Sequence, residues 1–404
     1  MRRSKPPNAA CSASRPLSHA ERPRVALVAG ELSGDRLGAG LIRALRASNP
    51  DITCEGVGGP AMRAAGCELL FDCEELAVMG LVEVVRHLPR LLRRRRELLR
   101  HWQAQPPDVF VGIDAPDFNL GLARRLKQSG VPTVHYVCPS VWAWREKRVK
   151  VLRRSLDHVL CLLPFEPDFL GRHDIAASFV GHPLAAEIDA HASVENARAE
   201  LGLAAGPVLA LLPGSRRSEV ERLADPFIAT ARRLAADIPN LNVVAALATD
   251  ATRLAFAARC TNDPSIRVVG GQTRQVLTAA TAVLVASGTA TLETALHGKP
   301  MIVAYRLSPL TYRIVKSLNL VRATHVSLPN ILADSPVVPE FIQDAVNVAT
   351  LAPPLAALLT DAACRQEQTN EFAKLRDILA QDADARSAHV VESLLSAQRS
   401  PNAN

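Results

Sequence analysis

AVLVASGTATLETALHGKPMIVA, residues 282–304, is the stretch whose reading decides the fold. It opens on an apolar, β-branched run, Ala282–Ala286, of the length of one buried strand. Ser287-Gly288-Thr289 breaks the run and supplies a turn with small polar residues for a helix start. Residues 290–297 read as a short helix, Gly298 stands where a left-handed cap belongs, and Met301–Ala304 reads as the next strand. The unit is strand–helix–strand, the repeat of a parallel α/β sheet. Small residues at its helix start leave backbone N–H groups open to an anion. Glu293, one turn in, has two readings: a first-turn acid facing water, or a carboxylate that accepts two hydroxyls of a ribose.

At 404 residues the chain has room for two domains, and 48% apolar residues with only 4% aromatic leave Leu, Val and Ala to fill both cores. The eight cysteines, at 11, 54, 67, 73, 138, 161, 260 and 364, form no C-x-x-C. Scattered through apolar surroundings, they read as reduced buried thiols of a cytosolic protein and not as a zinc site. Residues 1–22 carry Arg2, Arg3 and Lys5 but no apolar core, so they read as a disordered tail and not as a signal peptide. The longest uncharged run, 275–292, is already explained as helix end, strand and turn, and no transmembrane helix is expected.

Taken from its start, the chain repeats the same unit. Arg24–Ala29 reads as a strand, GELSGD (30–35) as a turn, and Arg36–Ala47 as a helix with Leu37, Leu41, Ile42 and Leu45 on one face. Glycines 30, 34, 38 and 40 do not form G-x-G-x-x-G, so the dinucleotide fingerprint is absent and nicotinamide or flavin chemistry is disfavoured. Ser33 and Gly34 either line a ligand crevice or simply make the turn. Gly56-Val-Gly58-Gly59-Pro60 signals tight packing or backbone approach to a ligand. Asp108–Ile113 is a strongly apolar strand. Open α/β sheets hold ligands beyond the carboxyl ends of their strands, and Asp114 stands there as a candidate general base. Asp117 reads as the N-cap of the next helix.

CPSVWAWR (138–145) joins two of the three tryptophans to basic residues that continue through Arg154. That pairing suits a sugar or a phosphorylated amphiphile, with core packing the competing role for one tryptophan. His182, before Pro183, reads as structural, and residues 190–206 as an inter-domain connection. Val208–Leu212 restarts a strand that leads into Pro213-Gly214-Ser215-Arg216-Arg217. Backbone N–H groups and a guanidinium there suit a diphosphate. Ser218 is expected to cap the following helix, with Glu219 and Glu221 in its first turn. Further α/β units follow, and residues 355–395 read as helical.

Met79–Trp102 is the unusual segment, MGLVEVVRHLPRLLRRRRELLRHW. Leu81, Val82, Val84, Val85 and Leu88 interleave with arginines that culminate in Arg93–Arg96, and Pro89 is expected to split two helical pieces. A core helix followed by a solvated basic helix is one reading. The sharper one is an interfacial pair, apolar side in a membrane surface and Arg93 and Arg94 on anionic headgroups. Little aromatic interleaving argues against nucleic acid.

Two Rossmann-like domains without a dinucleotide fingerprint point to an α/β fold of GT-B type, its domains facing a cleft. The expected boundaries are 1–22 for the tail, 23–190 for an acceptor domain, 191–350 for a UDP-sugar domain and 351–404 for C-terminal helices. VALVAGELSGD, ELAVMGLVEV, DVFVGIDAPDFN, HYVCPSVWAWR, LLPGSR, ASGTATLE and VSLPN, in this order and spacing, closely resemble the lipid-A-disaccharide synthase family from about Arg24 to the C-terminal helix. The resemblance implies an inverting glycosyltransferase that needs no cofactor and no metal. It would move 2,3-diacylglucosamine from UDP-2,3-diacylglucosamine to 2,3-diacylglucosamine 1-phosphate (lipid X), giving a β-1,6-linked lipid A disaccharide 1-phosphate and UDP. Asp114 then matches the base for the acceptor hydroxyl and Arg216 the essential arginine, here assigned to the departing diphosphate. Gly214, Ser215, Ser287, Gly288, Thr289, Glu293 and Asn330 fall on the UDP side, with Arg306 as a further phosphate contact. The family is cytoplasmic and peripheral to the anionic inner membrane, and a homodimer is compatible with it. The rivals are a UDP-sugar 2-epimerase or hydrolase of the same fold, which has no use for a lipid-facing segment, and a non-catalytic UDP- or lipid-binding module.

Overall fold

The computed structural model describes residues 22–76, 81–144, 148–189, 191–260, 265–308 and 324–399, without the side chains of 81–87, 143, 144 and 399. The expected tail, residues 1–21, lies outside them. Two compact units make up the chain, one of Met1–His135 with Ser387–Asn404 and one of Tyr136–Arg386.

The first sheet holds β1 (Arg24–Ala29), β2 (Thr53–Gly58), β3 (Glu68–Asp72), β4 (Val109–Ile113), β5 (Thr133–Tyr136), β6 (His158–Cys161) and β7 (Ala177–Phe179), in the order β3-β2-β1-β4-β5-β6-β7. β1 lies parallel to both β2 and β4. The chain therefore reverses its direction of travel across the sheet between β1 and β4. Such a switch point opens a crevice beyond the carboxyl ends of the two strands. Gly30 follows one of them and Asp114 the other.

The second sheet repeats the scheme with β8 (Val208–Leu212), β9 (Asn242–Leu247), β10 (Ile266–Gly270), β11 (Ala282–Ala286), β12 (Met301–Tyr305) and β13 (Glu340–Ile342), in the order β10-β9-β8-β11-β12-β13. All its pairings are parallel. Its switch point lies between β8 and β11, where Val285 is in register with Leu212. The loops after these two strands are Pro213–Arg216 and Ser287–Gly288. Side chains alternate across the sheet as strand geometry requires. Leu209 and Leu211 join the core under the helices Arg217–Asp237 and Val348–Thr360, while Val208, Ala210 and Leu212 face the opposite core.

Two sequence expectations change. The helix expected from Arg36 starts at Leu32, so Ser33 and Gly34 form its first turn instead of a loop. Pro89 does not split its segment: Leu81–Ala104 is one continuous helix. Proline removes a single hydrogen bond there, and burial of Leu98 and Trp102 holds the later turns in place. The stretch read as an inter-domain connection holds the helix Val194–Glu200, and its Ala197 and Leu201 are buried in the core of the second sheet.

Candidate active site

Asp114 sits in a turn that the backbone resists. Asp114 and Ala115 have φ of 49° and 42°, two consecutive non-glycine residues in the left-handed region. Each costs roughly 1–2 kcal/mol in that conformation, and such strain concentrates where a side chain must be aimed. Asn119 holds the turn in place. Its amide nitrogen donates to Asp114 O at 2.8 Å, to Ile113 O at 3.3 Å and to Val28 O at 3.2 Å, tying the ends of β4 and β1 together. Gly30 completes the fit, since a Cβ on it would lie 2.3 Å from that of Ala115. Burial, and then the negative charge of Glu31, raise the Asp114 carboxyl above an ordinary aspartate, against a backbone hydrogen bond from Ala115. A carboxylate made more basic in this way is better suited to take a proton from a hydroxyl. Asp117, expected as the N-cap, is in the first turn of the helix Pro116–Gln128, and Ala115 occupies the cap position.

Ser33 and Gly34 flank this turn with other work to do. Ser33 Oγ donates to Glu31 Oε1 at 2.6 Å. Gly34 allows close helix packing, since its Cβ would touch Ala29 and Ile113 at 3.4 Å. The GVGGP loop is likewise a packing device. The buried carboxylate of Asp35 accepts the N–H groups of Gly59, Ala61 and Met62 at 2.6, 2.9 and 3.0 Å.

In the other unit, Arg216 and not Ser218 is the N-cap of the helix Arg217–Asp237. Gly214 has φ of 121°. A Cβ on it would meet Glu219 Cβ at 2.6 Å and Oε2 at 2.7 Å, so glycine is needed for both conformation and space. Glu219 Oε2 accepts the Ser215 N–H at 3.1 Å and the Arg216 N–H at 3.3 Å. The Arg216 guanidinium is 76% exposed, with an ion-pair contact to Glu219 at 3.5 Å. The loop thus presents anion donors, and Glu219 already occupies two of them.

After β11, Gly288 (φ 148°) is the N-cap of the helix Thr289–Leu296. Helix geometry leaves the first N–H groups, those of Thr289 and Ala290, without an internal acceptor. Ser287 does not cap: its Oγ donates to Val326 O at 2.5 Å, joining this loop to VSLPN. Glu293 is half-buried. Burial raises its carboxyl, Arg274 at 4.0 Å opposes the rise, and Glu187, bound to Arg274 at 2.6 Å, adds to it.

Two residues expected on the UDP side have their polar groups committed elsewhere. Arg306 donates to the carbonyls of Gln343 at 3.1 Å, Val346 at 2.7 Å and Arg222 at 3.4 Å, which commits three of its five donors within the protein. Asn330 is buried and exchanges hydrogen bonds with Val338 N and O at 2.8 and 2.9 Å while donating to Glu340. It shapes the VSLPN loop and has no group left for nucleotide. Glu340 was not legible as a loop anchor, although it accepts the N–H groups of Val326 and Ser327 at 3.0 and 2.8 Å.

On the basic helix, Leu88 is 45% exposed. Leu81, Val82, Val84 and Val85 have side chains outside the described residues. Arg93 is 67% exposed, 3.7 Å from Glu97. Arg94 is only 28% exposed and pairs with Glu75 at 2.8 Å and Glu97 at 2.9 Å. His182 is structural, as its sequence position suggested. Its Nδ1 accepts the Leu184 N–H at 3.3 Å, and burial pushes its pKa down to about 4. In the tryptophan loop, Trp142 Nε1 donates at 3.1 Å to Glu166, whose carboxyl burial pushes up to about 7.

Seven- and six-stranded α/β sheets, each with a switch point in its strand order, define a GT-B glycosyltransferase architecture. At the level of fold, a UDP-GlcNAc 2-epimerase from Neisseria meningitidis, solved with UDP-GlcNAc, matches with a TM-score of 0.61 at 12% identity over 92% of this chain and 100% of its own. The calicheamicin glycosyltransferase matches with a TM-score of 0.56 at 17% identity over 94% of this chain and 100% of its own. In sequence the likeness is far narrower. Residues 25–393 match the family model of lipid-A-disaccharide synthetase. The lipid-A-disaccharide synthase of Alkalilimnicola ehrlichii is 50% identical over 374 residues, 91% of this chain and 97% of the relative. The chain belongs to the lipid-A-disaccharide synthase family.

Proposed function

We propose that the chain transfers 2,3-diacylglucosamine from UDP-2,3-diacylglucosamine to the 6-hydroxyl of 2,3-diacylglucosamine 1-phosphate, forming the β-1,6-linked disaccharide 1-phosphate of lipid A and releasing UDP. The observation that carries the mechanism is the position of Asp114, held in a strained turn at a switch point with its carboxyl raised by burial. Asp114 accepts the proton of the acceptor hydroxyl as its oxygen attacks the anomeric carbon. The bond from that carbon to the UDP oxygen breaks, with inversion. Negative charge grows on the departing diphosphate, and stabilising it is the larger part of the barrier reduction. The Arg216 guanidinium and the N–H groups at Ser215–Arg216 and Thr289–Ala290 supply positive potential for it. Glu293 takes the ribose hydroxyls.

Both substrates carry acyl chains. No helix among the described residues is long and apolar enough to cross a membrane. Exposed Leu88 and Arg93 therefore support peripheral contact with the anionic inner-membrane surface. The epimerase likeness is one of fold alone and brings no substrate with it.

A mass-spectrometric assay in detergent, with both lipid substrates and wild type beside Asp114→Asn, tests the reading. Disaccharide 1-phosphate should form with wild type only, while both proteins bind UDP equally. UDP release without disaccharide would point to a hydrolase. Turnover by Asp114→Asn would remove the base.

A further inference from the structure

Three buried groups that take no part in the transfer converge on one point. The Sγ atoms of Cys138 and Cys161 and a carboxylate oxygen of Glu166 all lie within 4.8 Å of one another. The residues are 5%, 0% and 3% exposed. They come from separate elements: Cys138 lies just past β5, Cys161 ends β6, and Glu166 opens the helix Glu166–Gly171. The gap from Cys138 to Cys161 is too long, and the two cysteines too unequally spaced from Glu166, to form a metal-binding signature, which is why the cysteines read as inert from sequence.

Two further observations set the cluster apart from chance packing. Val137, which leads the chain into Cys138, has φ of 77°. A β-branched residue in the left-handed region is a genuine outlier, and this one is kept there by its N–H donating to Leu160 O at 3.0 Å on the neighbouring strand. Glu166 is oriented from behind. Trp142 Nε1 donates to one carboxylate oxygen at 3.1 Å, and the Leu163 N–H donates to the other at 3.1 Å. Outer hydrogen bonds of this kind fix the orientation of metal ligands.

We propose that Cys138, Cys161 and Glu166 form a structural site for a thiophilic divalent ion of the zinc class, which ties the tryptophan loop to β6. Two thiolates with one carboxylate select a borderline ion over Mg²⁺ or Ca²⁺, which take oxygen ligands. Zinc–sulfur bonds of about 2.3 Å and zinc–oxygen bonds of about 2.0–2.2 Å in a tetrahedron give ligand–ligand edges of roughly 3.5–3.8 Å. Against the 4.8 Å limit observed, closure by about 1.3 Å at most is needed, within the reach of side-chain rotation. On binding, the two thiol protons, and the carboxyl proton wherever Glu166 holds one, leave for solvent, two metal–thiolate bonds and one metal–carboxylate bond form, and no electrons are transferred.

The test is a Co²⁺ titration of the full chain, purified under reducing conditions and stripped of metal. One Co²⁺ per chain should bind with an intense thiolate-to-cobalt charge-transfer band, which Zn²⁺ then displaces. Cys138→Ser and Cys161→Ser should each lose that stoichiometric band, while Cys364→Ser, at an exposed thiol, keeps it. Glu166→Gln preserves side-chain volume and should weaken binding at least tenfold. It carries the test if a cysteine variant fails to fold, as read from its thermal melt. Absence of the band in wild type, its survival in a folded Cys138→Ser variant, or unchanged affinity in Glu166→Gln would overturn the proposal. So would a Cys138–Cys161 disulfide in thiol-blocked chain isolated from cells, which would make the pair a redox couple.

Discussion

Gly30→Ala should slow glycosyl transfer by roughly 10²-fold, and adding Ala115→Gly should restore most of the loss. A Cβ on Gly30 would lie 2.3 Å from the Cβ of Ala115 and 3.7 Å from its Cα. Carbon atoms in contact ordinarily stop at about 3.5–4.0 Å, so more than about 1 Å must be found. Neither methyl can rotate away, because each is fixed to its own backbone. β1 is buried along Val25–Ala29 and flanked by parallel strands on both sides. The part that yields is therefore the left-handed turn of Asp114 and Ala115. A displacement of about 1 Å in a catalytic group is worth about 10² in rate, and overpacking of this kind costs about 1–3 kcal/mol in stability. Ala115→Gly removes the opposing methyl and relieves about 1 kcal/mol of left-handed strain. Disaccharide 1-phosphate formation, thermal melts and UDP calorimetry would be followed for both single variants and the double. The expected pattern is low kcat with unchanged UDP affinity for Gly30→Ala, and near-normal kcat for the double variant. Wild-type turnover in Gly30→Ala, or a double variant no faster than Gly30→Ala, would refute the placement of Asp114 by this contact.

The charge of Glu31 contributes to the raised carboxyl of Asp114, so Glu31→Gln should move the acid limb of kcat to lower pH; a limb that stays put or moves up assigns it to another group. Because the folded Asp114 holds its proton to higher pH than the unfolded chain, it makes stability fall as pH rises through its titration, and Asp114→Asn should melt higher than wild type at neutral pH. Arg216 is 76% exposed, so Arg216→Ala should leave stability within about 0.5 kcal/mol yet cost about 10²–10³ in kcat; wild-type turnover would take it off the leaving group. Asn330→Ala would leave the buried Val338 N–H and C=O unpaired and should destabilise by about 2–3 kcal/mol. An unchanged melt with selective loss of UDP affinity would return Asn330 to the nucleotide.

Much of the fold is legible because parallel strands buried on both faces read as short apolar runs between glycines and helix starts. Ala282–Ala286 and Val208–Leu212 emerge as β11 and β8 with their sequence boundaries intact. Position then follows from topology: in each sheet the expected acid or anion loop lies at the reversal of strand order, and so Asp114 and Arg216 could be singled out without contacts. What the sequence hides is how each group is held. Asn119 binding the carbonyls of Val28 and Asp114, or Glu340 gathering the N–H groups of VSLPN, depends on backbone atoms, which any sequence supplies. Cys138, Cys161 and Glu166 meet only because β5 and β6 are neighbours.

Three arginines show most clearly where that limit falls. Arg94, Arg216 and Arg306 carry the same charge, and each stood as a ligand for phosphate or headgroup. A guanidinium has five donors in a fixed fork, so its availability depends on what already accepts from it. Arg306 spends its fork on three backbone carbonyls, and Arg94 on two carboxylates. Arg216 is left pointing to solvent beside Glu219, whose carboxylate meanwhile accepts the N–H groups of Ser215 and Arg216. An internal carboxylate in that place means that the diphosphate proposed for this loop would have to compete with Glu219. Binding at this loop is then an exchange of one anion for another. The two negative charges of a sugar nucleotide's diphosphate would favour the exchange, and the UDP left after transfer, bearing a further charge on its terminal phosphate, would be released against the same Glu219 carboxylate returning to its place.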